Sequence, residues 1–327
     1  MSYSWSDRTC LVTGGAGFGG SHLCARLLGL NAKVYVVDRE FPRNSYLFLS
    51  GLANRVEMIS GDIRNLDLLR WTLERYAIDT VFHLAAQAIA PTSNVLPMET
   101  LSVNALGTYT VLEAMRTSST AKRLIFASSG AYYGTTTTDR PLGEEDAPGP
   151  ATNIYAPSKV AGDVAVRAYA QVFGLKAAVC RFMNTYGPGD TNFSRLVPRA
   201  VKNLLTGSSY DFGDRDDGTT RFTYLHIGDM ASAYIRMAEN VDLVSGEAFN
   251  FDGGVLMSTR DMASMISRLF DGREREPRFL GKPRAKPVIK YLDTQKAKRL
   301  LDWQPATPLE QGLRETVEWY RQFLGKL

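Results

Sequence analysis

The 327-residue sequence is poor in cysteine and histidine, with three of each, and no apolar run approaches the ~18 residues that a membrane-spanning helix needs. Cys10, Cys24 and Cys180 stand far apart in apolar surroundings. That pattern excludes a disulfide scaffold and every common metal-ligand spacing, and it predicts reduced core thiols and no metal site. The opening Met1-Ser2-Tyr3-Ser4-Trp5 lacks the basic and apolar regions of a secretory signal, so a soluble, cytoplasmic protein is expected. Internal repeats, low-complexity tracts and coiled-coil heptads are also missing. Charge of one sign is scarce: 38 basic against 34 acidic residues leave a net charge of +4, spread along the chain. This is too weak and dispersed for a nucleic-acid partner, and no membrane partner is expected, although a small anion would be welcome.

What the chain has is an ordinary globular composition, 44% hydrophobic and 22% charged, with length enough for two lobes. Its organising stretch is Cys10-Leu11-Val12-Thr13-Gly14-Gly15-Ala16-Gly17-Phe18-Gly19-Gly20-Ser21. An apolar run enters a glycine-rich turn that leads straight into helix-like sequence, which gathers backbone N–H groups where a pyrophosphate can sit. Gly14, Gly17 and Gly20 follow a G-x-x-G-x-x-G spacing, suited to a sharp turn, a close approach to phosphate and tight helix-on-strand packing. The next β-branched run, Lys33–Val37, ends at Asp38. A carboxylate there accepts from a ribose diol and repels a 2′-phosphate, which favours NAD; Arg39 beside it leaves NADP as the second option.

From residue 8 to about 180, expected strands at 9–13, 33–37, 56–59, 79–84, 122–128 and 175–180 alternate with helices at 20–29, 65–76, 97–116 and 155–173. Apolar strands alternating with helices predict an α/β fold, a doubly wound parallel Rossmann sheet. The expected division is a dinucleotide-binding domain over 1–180 and a smaller, less regular α/β lobe over 181–327 that closes on a substrate, with 226–239 returning to the first domain. Residues 135–153, rich in turn formers, read as a loop lining the active site. Asp62, after the third strand, suits either an adenine amino group or a helix N-cap. His83 reads as a packed strand residue, and Leu84, Ala85 and Ala86 after it are small enough for a cofactor to lie close.

Tyr155-Ala156-Pro157-Ser158-Lys159 places a phenol and an ammonium on one helix face, four residues apart. A free phenol titrates near pH ~10. A neighbouring cation stabilises phenolate and makes it a usable base. The hydroxyls of Ser128-Ser129 fall at a strand end, on the carboxyl edge of the sheet, where one can hold a substrate oxygen.

Thr13-Gly14-x-x-Gly17-x-x-Gly20, Asp38, His83-Leu84-Ala85-Ala86, Ser128-Ser129-x-x-x-Tyr133-Gly134, Tyr155-x-x-x-Lys159 and Arg181-x-x-Asn184-x-Tyr186-Gly187-Pro188 together resemble an extended short-chain dehydrogenase/reductase. More narrowly, the chain resembles the NAD-dependent nucleotide-sugar epimerase/dehydratase group, from residue 9 to about 320, including the closing Leu301-Asp302-Trp303-Gln304-Pro305. The resemblance implies Tyr155 as catalytic base and acid, Lys159 as its pKa-lowering and ribose-binding partner, and Ser129 as the third member. It assigns Gly14, Gly17, Phe18, Gly20, Asp38, Asp62, Ile63, Leu84, Ala85 and Ala86 to NAD. Asn184, Arg195 and Arg221 would meet the nucleotide-sugar pyrophosphate, with Phe212 against the base; a cation of 282–286 is a further candidate. Read as residues alone, Asn184 suits a turn, Phe212 a core, and Arg221 a surface pair with Asp214, Asp216 or Asp217. Gly189–Pro198 is most similar to the CDP-glucose 4,6-dehydratase branch. A homodimer through the 97–116 and 155–173 helices is implied as well.

One departure bears on the reaction. Where 4,6-dehydratases carry an acid after the serine or threonine, this chain has Gly130 and Ala131. The expectation is therefore an epimerase acting through a 4-keto sugar, most simply at C4. The alternatives are a dehydratase using Tyr132 or Glu144 as the acid, a 4-ketosugar reductase, and a non-catalytic dinucleotide sensor.

Overall fold

A computed structural model describes residues 4–326. Six strands, β1 (Thr9–Thr13), β2 (Lys33–Asp38), β3 (Glu57–Ser60), β4 (Thr80–His83), β5 (Arg123–Ala127) and β6 (Lys176–Phe182), form a parallel sheet in the order β3-β2-β1-β4-β5-β6. Ala248–Phe251 extends it beside β6 as a seventh parallel strand, although it lies well past residue 180. Successive residues point to opposite faces, and both faces are covered. Val12, Val36, Phe82 and Cys180 pack under helix α1 (Phe18–Gly29) and the Ile227–Glu239 helix. On the other face, Leu11, Val37, Val81 and Phe126 pack under the Leu66–Arg75, Gly107–Thr117 and Tyr155–Phe173 helices. The three cysteines are buried and unbridged, and burial pushes the Cys24 thiol up to about 12.

The order of strands reverses between β1 and β4, and their carboxyl ends open a crevice at that point. Over it sits the second lobe, whose core includes Tyr186, Val201, Phe212, Ile266, Leu313 and Tyr320. A small sheet of Met257–Ser258, Arg221–Phe222 and Ile289–Lys290 belongs to this lobe.

The expected single helix at 97–116 is interrupted. Helical turns over Pro97–Leu101 and Gly107–Thr117 flank a π-type turn over Ser102–Leu106. Buried Asn104 explains the wider turn, a feature frequent at functional sites. Its amide accepts from the Gln87 N–H (2.7 Å) and donates to the Gln87 carbonyl (3.0 Å) and to Ser158 Oγ (2.9 Å). Those bonds tie the helix to the β4 loop and to the start of the Tyr155 helix.

No helix among the described residues is long and apolar enough to cross a membrane. Nor do three or more His, Cys, Asp or Glu side chains gather to hold a metal ion among them.

Candidate active site

The crevice is a cleft of ≈ 1140 Å³, larger than a drug-sized pocket and of a size for a dinucleotide and a second ligand together. Gly14 begins it with φ +73°, the left-handed region, and a Cβ there would lie 2.7 Å from the Ala85 backbone. Gly20 is equally tight, since a Cβ would stand 2.2 Å from the Gly14 carbonyl and push α1 off the turn. Gly17 caps α1 without a side chain, and the first turn of that helix carries no acid. Its N–H groups therefore face the cleft without a competing carboxylate, which fits a dinucleotide diphosphate. Gly14→Ala is expected to cost several kcal/mol of stability through strain and backbone overlap and to strip bound dinucleotide, measurable by thermal unfolding and by chromatography of the nucleotide released on denaturation.

Asp38 closes β2 at the cleft, as its place in the sequence suggests. Its Oδ2 accepts from the Ala16 N–H (3.1 Å) and Oδ1 from the Arg39 N–H (2.8 Å). Burial raises its pKa, while these N–H bonds pull the other way. Each oxygen retains a lone pair for a ribose hydroxyl. Asp62 also lines the cleft, but the cap of the helix beyond it is Asn65, whose side chain accepts from the Leu68 N–H. Asp62 instead holds Arg64 through bonds of 2.6 and 3.0 Å, and Arg64 reaches on to Glu99 (3.0 Å).

His83 is fully enclosed. Thr108 gives its hydroxyl proton to the Asn104 carbonyl (2.6 Å), so it accepts from His83 Nε2 (3.1 Å); Nδ1 is left to accept from Thr13 Oγ1 (2.7 Å). Burial, helped by the charge of Lys159, lowers the imidazole pKa to about 3, so it stays neutral and ties β1 to β4.

Ser128 and Ser129 part company at the end of β5. Ser128 turns inward to Asp163 (3.0 Å), while Ser129 faces the cleft and caps a 3-10 turn over Gly130–Tyr133 by accepting from the Ala131 N–H (3.1 Å). That turn rests on a buried network. Arg181 Nε and Nη2 donate to Asp163 (2.9 and 3.0 Å), Nη1 donates to the Tyr133 hydroxyl (2.9 Å), and the guanidinium lies 3.6 Å from the Tyr132 ring centre.

The Tyr155–Phe173 helix crosses β5 closely because Gly162 has no side chain; a Cβ there would meet Phe126 at 2.7 Å. This brings Tyr155 and Lys159 over the end of β5 beside Ser129. Burial pushes the Tyr155 phenol above its usual value, and a hydrogen bond with Ser129 and the charge of Arg195 act against that rise. Lys159, expected to lower the phenol's pKa directly, is held elsewhere in this state. Its Nζ donates to the Ala127 carbonyl (2.8 Å) and stands 5.9 Å from the Tyr155 ring centre. Burial lowers the ammonium's own pKa to about 8.

On the opposite wall the sequence expectations divide. Asn184 and Arg195 line the cleft, with Arg195 paired to Asp190 (3.2 Å). Phe212 does not; it is buried in the second lobe, stacked on Phe279 with ring centres 4.9 Å apart. Arg221 does not reach the cleft either. It meets Asp139 (3.6 Å), none of the three aspartates considered from sequence. The reason is strand alternation: Phe222, the next residue, faces the cleft, so Arg221 faces away. Of the basic 282–286 segment, Arg284 braces the neighbouring loop through Thr220 Oγ1 (2.8 Å) and the Arg215 carbonyl (2.8 Å). Two cations that no motif marked, Arg215 and Lys290, line the cleft instead. Tyr132 and Glu144 are not among the lining residues. The Glu144 carboxylate accepts from the Asn250 N–H (2.9 Å), and Tyr132 is buried beneath Arg181.

Residues 10–251 match the model of the NAD dependent epimerase/dehydratase family. A UDP-glucose 4-epimerase of Mycolicibacterium smegmatis is 33% identical over 95% of this chain and 98% of its own length. A trifunctional UDP-glucose 4,6-dehydratase/UDP-4-keto-6-deoxy-D-glucose 3,5-epimerase/UDP-4-keto-L-rhamnose-reductase of Arabidopsis thaliana is 29% identical over 98% of this chain, which spans about half (48%) of that enzyme. The solved structure of the Thermotoga maritima UDP-glucose 4-epimerase with UDP-glucose superposes with a TM-score of 0.86 at 28% identity, covering 97% of this chain and 99% of that one. With the glycine turn, the Asp38 strand end and the serine, tyrosine and lysine around one cleft, this chain belongs to the NAD dependent epimerase/dehydratase family.

Proposed function

We propose that the protein is a nucleotide-sugar 4-epimerase that retains NAD through its catalytic cycle. The observation that carries this reading is the turn after Ser129. Gly130 and Ala131 offer no proton to a leaving hydroxyl, and the two nearby groups that could substitute, Tyr132 and Glu144, are committed away from the cleft. A dehydration step therefore lacks a carboxyl acid on that turn, whereas oxidation and reduction at one carbon need only Ser129, Tyr155 and Lys159. NAD would supply the hydride acceptor when bound, and the N–H groups of the Gly17 turn and the Asp38 carboxylate would hold its diphosphate and ribose. Ser129 holds the C4 oxygen, and Tyr155 accepts the hydroxyl proton as C4 becomes a ketone. Lys159 keeps positive charge beside the phenolate. The 4-keto sugar turns in the cleft to present its other face, and Tyr155 returns the proton to the C4 oxygen as the alcohol re-forms. Asn184, Arg195 and Arg215 supply the polar and cationic wall for the nucleoside diphosphate.

The test is incubation of purified protein with UDP-, CDP- and GDP-hexoses without added NAD, read by NMR for the C4 isomer. A 4-keto-6-deoxy product with solvent deuterium at C5 would establish a dehydratase, and steady NADPH consumption a reductase.

The same reading makes the protein a cytoplasmic homodimer, in keeping with its unbridged thiols. Met98, Leu106, Tyr109, Val164 and Phe173 are exposed on the two helical segments expected at the interface. Light scattering should return twice the chain mass.

A further inference from the structure

Lys290 is a cation of the cleft whose charge the proposed reaction leaves unused. It sits in the Ile289–Lys290 strand, level with Phe222 in the parallel ladder, and both side chains line the cleft. Its Nζ donates to the Gly134 carbonyl (2.9 Å), at the end of the turn that Ser129 begins. No carboxylate among the described residues pairs with it; Asp139, on the facing loop, goes to Arg221. Burial, with nothing acidic to offset it, lowers the ammonium's pKa to about 8, so it is charged at neutral pH while two of its three N–H donors have no partner among the described residues. A half-enclosed cation without a counter-ion is unfavourable unless a ligand brings the anion.

We propose that Lys290 binds a carboxylate carried by the hexose, so that the nucleotide-sugar handled here is a uronate. This rests on the epimerase reading for the orientation of the sugar. The diphosphate is the other anion of such a ligand, but its wall is at Asn184 and Arg195, on the strand and helix start beyond Phe182. Lys290 adjoins the Ser129 turn, where the reacting ring lies. Gly130 and Ala131 bring no carboxylate to that turn to compete for the ammonium, and a Cβ at Gly130 would already meet Met183 Sδ at 2.5 Å. The anion then comes from the substrate in place of the protein.

Calorimetric titration of NAD-loaded protein with UDP-glucuronate, UDP-glucose and UDP tests this. The wild type is expected to bind the uronate at least about tenfold more tightly than the neutral hexose, the range of a buried charge-assisted bond. Lys290→Met should bring that ratio close to one and leave UDP affinity within about twofold, and Lys290→Arg should keep most of the preference. A wild type that takes neither sugar, or both alike, overturns the proposal. So does a Lys290→Met protein that keeps the preference, or one that loses affinity for UDP itself, which would assign Lys290 to the diphosphate. Binding is read apart from turnover, so a uronate preference without a C4 isomer would refute the epimerase reading alone. Thermal unfolding of each variant guards against misfolding.

Discussion

Tyr155→Phe is expected to lower kcat by about 10²- to 10⁴-fold, the usual contribution of a positioned acid and base, with KM and bound NAD close to wild type. The phenyl ring keeps the packing of Tyr155 against the cleft wall and removes only the oxygen that meets Ser129. Ser129→Ala should fall less, because on the proposed mechanism Tyr155 would keep proton transfer and only the hold on the C4 oxygen would be lost. The pH profile adds a second check. In the free protein burial raises the phenol's pKa, so the neutral form predominates at pH 7 and kcat/KM should climb as pH rises. A Tyr155→Phe enzyme that kept kcat within about threefold would remove the phenol from proton transfer and restore the dinucleotide sensor as the better reading.

The second large effect concerns stability and has an unusual sign. Lys159 is buried with its pKa lowered to about 8 from an ordinary 10.5, so folding holds an ammonium where the neutral amine is preferred. Below pH 8 the lysine is protonated in both folded and unfolded chains, and its burial opposes folding by about 3 kcal/mol. Between pH 8 and 10.5 the unfolded chain binds more protons than the folded one, so this opposition fades as pH rises. Lys159→Met removes the charge and keeps the length, at the loss of the bond to the Ala127 carbonyl. Relative to that variant, the wild type should gain about 2–3 kcal/mol between pH 7 and pH 10 in denaturant melts, while the variant shows no turnover at any pH. A difference in stability that stays flat with pH would mean that Lys159 keeps an ordinary pKa. The predicted behaviour is that of an active site held at the expense of the fold.

Much of this molecule is local in origin, and local features are what a sequence displays. Strand, glycine turn and helix follow one another within 21 residues of Thr9, so Gly14, Gly17 and Gly20 declare their positions by spacing alone. Tyr155 and Lys159 share a helix face for the same reason, since four residues make one turn. The parallel, doubly wound class of the sheet follows from apolar strands alternating with helices, up to β6. Three features were out of reach. The seventh strand arrives from Ala248–Phe251 after a long excursion, and nothing near it in the chain announces which edge it joins. The π-type turn at Ser102–Leu106 depends on Asn104 finding Gln87 and Ser158, which are distant in sequence. Helical spacing alone predicts a direct coupling of Lys159 to Tyr155, but the ammonium prefers a carbonyl of β5.

The second lobe divides most sharply along these lines. The glycine turn after β1, the carboxylate ending β2, Ser129, Tyr155 and Lys159, and the lack of an acid beside Ser129 are legible in the chain alone, because each of these lies within one element or at its end. Which cations face the cleft is settled by how distant segments pair. In a strand the side chains alternate, so one step in register exchanges Arg221 for Phe222 at the wall and brings Lys290, on the paired strand, to the same side. That register is set by pairing between segments some seventy residues apart, and no reading of either segment alone contains it.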